Sequence, residues 1–367
     1  MKKNSIKEKG DEIFMENPFV KEGCLSLNAS INKLVLEEIS NYEIDENLIG
    51  KSALEVFSNS LFIKEIKKNS KDLKLNLEKI AEKDFVQYLD KCLESEDEVV
   101  KGKALEIVSL FGIRLGVILL TLKTGEVKAR KNREDWDIDN WRFWSQLENV
   151  ILVGCLASSN IGKRLKLCVE EVFKKANEPC YNIILSENSA NVALKGCITY
   201  INKKEENKTY FVFDLGQTYI KRSVVTFNDG QVKNIEILPR VASRHVEWEF
   251  KNHIDEVNEA MKLNNTILNA IIDAMKYKKE EVGDEIVISI ANYVKNGLLV
   301  NRGGYGKLRL IDDNYERYLS QKLSKRVRKK LKVKLVHDGT AMAANFSGYS
   351  KAVCISLGTA FGVGFPL

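Results

Sequence analysis

Proline is scarce in this sequence, with four in 367 residues, and no Ser- or Gly-rich stretch accompanies them. No flexible tether divides the chain, so any lobes must be joined by structured segments. The seven cysteines (Cys24, Cys92, Cys155, Cys168, Cys180, Cys197 and Cys354) include no Cys-x-x-Cys pair. That argues against a disulfide framework, a zinc ribbon or an iron–sulfur cluster and fits a reducing cytoplasm. The longest apolar run, "LFGIRLGVILLTL", is broken by Arg114 and falls short of the roughly 20 residues that span a bilayer. The start, "MKKNSIKEKGDEIF", is charged without the apolar core of a secretory signal. A soluble, cytoplasmic protein with no membrane partner is expected. Charge of one sign is not in large excess either: 57 Lys+Arg stand against 51 Asp+Glu, a net +6, which gives no footprint for nucleic acid. What the chain does have is 44% hydrophobic content over 367 residues. Single cores stop growing near about 250 to 300 residues, so two cores with a cleft between them are expected.

Periodicity divides the chain. Residues 30 to 125 read as mostly helix, with "DLKLNLEKIAEKDFVQYLDKCLE" and "KALEIVSLFGIRLGVILLTLKTG" spacing their apolar residues by three and four. "NVILVGCLASSNIGKRLKLCVEEVFKKA" reads as strand, turn and amphipathic helix, followed by a strand in "YNIILS" and a helix from Ser189. From Thr209 the pattern becomes a meander of three strands at 209–215, 219–227 and 231–238. A helix near 250–278, a strand in "EIVISIA", a helix near 313–331, a strand in "VKLVHD", a helix from about 340 and a strand in "AVCISLG" complete it. The basic run "SKRVRKKLKVK" reads as a solvated helix face with Val327 and Leu331 inward, and "DWDIDNWRFW" as an aromatic packing plug.

Three segments each end a strand in a turn of small residues: "DLGQT" (214–218), "SLGTAFGVG" (356–364) and "LVGCLASSNIG" (152–162). Such turns let main-chain N–H groups approach an anion, and threonine adds a hydroxyl donor. A fourth, "KLVHDGTAMAANF", puts Asp338 at the C-terminal end of a strand, the edge where reactive groups of α/β sheets collect. A carboxylate there can take a proton from an alcohol while the turns hold phosphates. Each segment also has a plainer reading: the turns as tight connections, and Asp338 as the N-cap of the helix behind it.

Together these segments resemble the sugar-kinase, heat-shock chaperone and actin superfamily, and within it the ROK sugar kinases. "DLGQTYIK" is similar to the first phosphate motif, "HDGTAMA" to the segment bearing the catalytic base, "LGTAFGVG" to the second phosphate motif and "LVGCLASSNIG" to the adenosine motif. "EGCLSLNASINKLV" resembles the family's Gly-Cys-Leu-Glu segment, and "GDEIFM" its glutamate-bearing sugar loop. The order is altered, because the adenosine-type segment precedes the others. The resemblance therefore implies a two-lobed actin-like ATPase fold of α/β class, with ribonuclease H-like lobes in circularly permuted order. Its larger lobe would comprise 1–188 plus 337–367 and its smaller lobe 189–336, with N-terminal residues supplying strand partners to the final strand.

The implied activity is ATP-dependent transfer of a phosphoryl group to a sugar or related polyol. Asp338 would be the base, and Asp214 would hold Mg²⁺ through water. Gly216, Thr218, Lys221, Gly358, Thr359 and Gly362 would border the phosphates and Gly154 the adenosine. Asn292, Asn301, His337 and Glu12 are the candidate substrate contacts, with Tyr305 and Lys307 nearby. Departures from the family are Gln217 where a second glycine is usual, Cys155 in the adenosine turn and His337 in place of Asn. The zinc-binding cysteine cluster is reduced to Cys24, so no structural zinc is expected. A homodimer is compatible with the chain. The alternative reading is a non-catalytic ligand sensor that keeps the fold.

Overall fold

A computed structural model describes residues 15–187, 191–202, 204–206, 208–277, 281–300 and 304–366. The first elements among the described residues are a small hairpin, β1 (Val20–Lys21) and β2 (Cys24–Leu25), and then a helical block: α1 (Ala53–Val56), α2 (Asn59–Lys68), α3 (Phe85–Cys92), α4 (Glu98–Thr124), α5 (Val127–Lys131) and α6 (Ile138–Gln146). An alternating stretch follows as β3 (Asn149–Val153), α7 (Ser159–Lys175), β4 (Asn182–Leu185) and α8 (Val192–Ile198). Next come the meander β5 (Thr209–Leu215), β6 (Tyr219–Asn228) and β7 (Gln231–Ala242), then α9 (His253–Lys276) and β8 (Val282–Ile290). The hairpin β9 (Val294–Lys295) and β10 (Leu298–Leu299) leads to α10 (Tyr315–Val327), β11 (Lys332–His337), α11 (Asp338–Ala344), β12 (Ala352–Leu357) and β13 (Phe361–Gly364).

The helical block is less helical than its spacing predicts. Residues 26–52 form turns and short 3₁₀ pieces, and of the 72–94 stretch only α3 is α-helix, entered through a 3₁₀ turn at Glu82–Asp84. Lys74 takes a left-handed φ of 53°, and the Asn76 side chain accepts from the amides of Glu78 and Lys79. Leu73 and Leu75 are buried all the same, so their spacing reflects burial by a turn. Helix α4 is 27 residues long and apolar enough to cross a bilayer by length and composition, extending well beyond the apolar run read from the sequence. Its inner residues, such as Phe111, Leu115, Ile118 and Leu122, lie in the protein core. It starts at the side-chain cap of Asp97 and stops at a left-handed Gly125, which is ordinary capping chemistry. The aromatic segment is the expected plug: Trp136, Trp141, Phe143 and Trp144 are buried, and Phe19 and Phe365 pack among them.

Two sheets organise the molecule. The first runs β11-β8-β5-β6-β7, with β5, β6 and β7 antiparallel and β8 and β11 parallel to β5. The second runs β13-β12-β3-β4, with β12 and β13 antiparallel and β3 and β4 parallel to β12. If β12 is taken as its first strand, the second sheet repeats the order of the first without a third meander strand. The chain's final strands therefore pair with strands some two hundred residues earlier in the same chain, as Asn149 Nδ2 donating to the Ser350 carbonyl illustrates. Among the described residues, the N-terminal segment does not add a strand beside β13. Its Asn32 amide both accepts from the Phe361 N–H at 2.9 Å and donates to the Phe361 carbonyl at 2.8 Å. One side chain thus satisfies the edge residue in place of a strand.

The central strands of each sheet bury both faces, while the edge strand β7 is largely exposed. The outer face of the first packs on α9 and α10 through Phe211, Phe213, Ile286 and Ile288. That of the second packs on α4 and α7 through Leu152, Ile355 and Leu357. Between the inner faces lie α8 and α11, the helices that follow the last strand of each sheet. Leu194 and Cys197 meet Val212 and Val287 of the first sheet, and Ala343 meets Cys354 of the second. The two helices touch backbone to backbone. A Cβ added at Gly196 would lie 1.6 Å from the Ala341 carbonyl oxygen, so only glycine admits this crossing.

Candidate functional site

Strand periodicity aims the acidic residue of the first hairpin. Tyr210 and Val212 of β5 face α8, so Asp214, two residues on, shares that inner face. It is 5% exposed. Register sets its partners: Lys221 stands opposite on β6 and Ser289 on β8. Lys221 Nζ donates to Asp214 Oδ2 at 2.9 Å and Ser289 Oγ to Oδ1 at 3.0 Å. Both carboxylate oxygens are therefore held.

Asp338 opens α11 at the C-terminal end of β11, the parallel strand on the far side of β8 from β5. Its carboxyl is pushed from its ordinary 3.8 up to about 7, first by the protein around it and then by the Asp214 carboxylate, with Lys221 acting in the opposite direction. Its side chain nevertheless keeps 31% of its surface accessible, so it is an acid that solvent can reach. The cap of α11 is not Asp338: His337 occupies the N-cap, and its Nδ1 accepts from the Thr340 amide at 3.2 Å.

The turn of the first hairpin is clamped from outside. The Gly216 carbonyl accepts from Ser243 Oγ at 2.7 Å and Tyr305 Oη at 2.9 Å, and the Thr218 carbonyl accepts from the Ser243 amide at 2.9 Å. Burial pushes the Tyr305 phenol up, and the Asp214 and Asp338 charges add to the shift, so Tyr305 lies within the field of both acids. Sequence reasoning named Tyr305 only as a substrate contact and missed Ser243 and Ser289. A serine in the apolar strand "EIVISIA" was the available signal for Ser289; Ser243 carries none.

The second hairpin makes its turn at Gly358, Thr359 and Ala360. The Asn59 amide, at the start of α2, donates to the Gly358 carbonyl at 2.8 Å, and Thr359 is exposed. Gly362 donates its N–H to Ser356 Oγ at 3.1 Å. Gly154, with φ 98°, ends β3 directly against Leu357, and a Cβ there would meet the Leu357 carbonyl oxygen at 2.5 Å. Both the conformation and the contact require glycine at this point. Beside it, the surrounding protein raises the Cys155 thiol while the Lys221 ammonium pulls it down. The field of the Lys221 ammonium on the first sheet thus extends to Cys155 in the loop of the second.

The other candidates sit differently. Asn292 is buried and its Oδ1 accepts from the Val300 amide at 3.2 Å, so it closes its own loop. His337 is buried with both ring nitrogens on protein atoms and Tyr293 stacked on its face at 4.5 Å; it has no edge free for a substrate. Lys307 is fully buried, donates to the Glu247 carbonyl and lies over Phe250. Glu12 and Asn301 lie outside the described residues. His245, Glu247 and Glu259 gather their ligand atoms within 4.8 Å. Lys262 and Lys307 already stand at the two carboxylates, which makes the group a charge-balanced cluster.

The strand order defines the class: a two-lobed actin-like ATPase fold with ribonuclease H-like sheets, its second sheet assembled from both parts of a permuted chain. No protein-family model matches this chain, and no curated protein resembles it in sequence. An exopolyphosphatase-like protein overlaps it at 11% identity and TM-score 0.29, covering 70% of this chain and 85% of its own. The Aquifex aeolicus Ppx/GppA phosphatase, type II variant, overlaps at 15% identity and TM-score 0.25, covering 70% and 76%. The fold assignment rests on the strand order and not on these overlaps.

Proposed function

We propose that the chain is an ATP-dependent phosphotransferase acting on a hydroxyl of a sugar or related polyol, of the kind the ROK sugar kinases represent. One observation carries this reading: Asp338, a carboxyl raised to about 7, stands at the C-terminal edge of the parallel strands beside Asp214. A base is most effective with its pKa near the working pH. Asp338 takes the proton of the acceptor hydroxyl as that oxygen attacks the terminal phosphorus, and the nucleoside diphosphate leaves. Phosphoryl transfer asks for little beyond this except positioning and charge stabilisation. Gly216, Thr218, Gly358, Thr359 and Gly362 border the phosphates, Lys221 adds positive charge, and Gly154 borders the adenosine. The two carboxylates are hard-oxygen donors whose mutual repulsion a cation would relieve; Asp214 would hold Mg²⁺ through water, and that ion would neutralise charge on the phosphates.

The ion pair of Asp214 with Lys221 favours a second reading, a ligand sensor in which the ammonium keeps the cation's place. Thermal melts with Mg-ATP, followed by a coupled assay across sugars and polyols, separate the two. Stabilisation by Mg-ATP together with turnover on one acceptor is expected. Stabilisation without turnover on any acceptor moves the assignment to the sensor, and neither effect defeats both.

A further inference from the structure

We propose that His337 is a positioning residue for Asp338: a neutral imidazole whose tautomer is set by the first turn of α11 and which fixes which carboxylate oxygen works as the base. The proposal rests on the phosphotransferase reading for its kinetic consequence, but its geometry stands alone. A main-chain N–H can only donate. The Thr340 amide donates to His337 Nδ1 at 3.2 Å, so Nδ1 carries a lone pair, and in a neutral ring the proton sits on Nε2. The Nε2 edge of the ring lies 3.2 Å from Asp338 Oδ1, a charge contact without the alignment of a hydrogen bond. The Gly339 amide donates to the same oxygen at 2.8 Å. The Gly339 N–H on Oδ1, with the polar edge of the imidazole against the same oxygen, restrains the carboxylate's rotation and leaves Oδ2 as the oxygen that meets the acceptor hydroxyl. The ring cannot turn to escape this role, because Tyr293 stacks on it at 4.5 Å and 21° and the side chain is 8% exposed.

The arrangement assigns one task to each ring nitrogen, and two substitutions separate them. An asparagine at 337 places its amide near the Nδ1 position, able to cap Thr340 and too short to reach Asp338. A glutamine reaches the Nε2 position with an N–H and caps poorly. We therefore expect His337→Asn to melt within a few degrees of wild type while kcat falls roughly 10- to 100-fold, the usual cost of misplacing a reacting group, with the KM for the acceptor unchanged. His337→Gln should melt lower yet keep kcat within about threefold of wild type. Stability and kcat falling together in both variants would overturn the proposal, since that is what a merely structural histidine does.

Nitrogen-15 NMR of the imidazoles supplies a readout that needs no turnover, and only three histidines must be assigned. The Nε2–H tautomer at His337, with its signal displaced in Asp338→Ala, is expected. An Nδ1–H tautomer or a doubly protonated ring at neutral pH would overturn the proposal whether or not the protein phosphorylates anything. A wild-type protein inactive on every acceptor but showing the Nε2–H tautomer would defeat the functional reading and leave the geometry in place.

Discussion

The two glycine hairpins have the same frame and different contents. In each, a leucine ends the first strand, a three-residue turn begins with glycine, and a second strand returns antiparallel: Leu215 to Tyr219 in one, Leu357 to Phe361 in the other. One step before the turn, the first hairpin opposes Asp214 with Lys221, whereas the second opposes Ser356 with Gly362. The parallel neighbours differ likewise, Ser289 against Val153. At these matched positions the first hairpin carries charged side chains and the second carries small neutral groups. In the phosphotransferase proposed above, a polyphosphate would meet charged side chains at the first hairpin and main-chain donors at the second.

Removing the base is the most severe test of this asymmetry. Asp338→Asn should lower transfer by roughly 10²- to 10⁴-fold, the usual weight of general-base catalysis, with Mg-ATP binding retained. Initial rates on the responsive acceptor check it, and wild-type turnover would end the assignment. Asp214→Ser makes the first hairpin resemble the second; transfer should fall by about 10²-fold, and the Mg²⁺ dependence of ATP binding should disappear in calorimetry. Equal losses from Ser356→Ala would instead show the two hairpins to be equivalent.

The pH dependence is subtler. Asp338 is raised to about 7 in the folded protein, so between about pH 4 and 7 the folded state holds a proton that the unfolded chain has released. Wild-type stability therefore falls across that window as pH rises, and transfer rises through about pH 7 as the base ionises. Melts of Asp338→Asn should show this decline removed, leaving the variant the more stable protein above pH 7. A variant with the same decline would mean that another group is responsible. The smallest effect expected is from Gln217→Gly, which restores the glycine usual at the first turn. The KM for ATP should fall about two- to fivefold if the glutamine crowds the phosphates, less than the tenfold that about 1.4 kcal/mol represents; an unchanged KM would show that the side chain points away.

The sequence made the first sheet legible because β5, β8 and β11 alternate or run apolar between short turns, and their ends display Asp214 and Asp338. Helical spacing misled at residues 72–81, where leucines two apart are buried by a turn centred on Asn76. The plainer reading of Asp338, as the cap of α11, misses by one residue, because His337 holds that place and a histidine that accepts through Nδ1 leaves no pattern in composition. The Ser243–Gly216–Tyr305 clamp joins residues 27 and 89 positions apart, and nothing local to any of them announces it.

The second sheet also bears on how the protein is made. The first sheet draws on one continuous stretch, from Thr209 to His337, and can assemble as that stretch leaves the ribosome. The second cannot. Strands β3 and β4 emerge early, but β3 must wait for β12 before its other edge is paired. For roughly two hundred residues of elongation, about ten to forty seconds at ordinary rates, the nascent chain presents an apolar strand with an open hydrogen-bonding edge. Such an edge invites association with other chains. Slow translation or a chain shortened before Ala352 should therefore send this protein into aggregates, and chaperone binding during synthesis should concentrate between the emergence of β3 and that of β12.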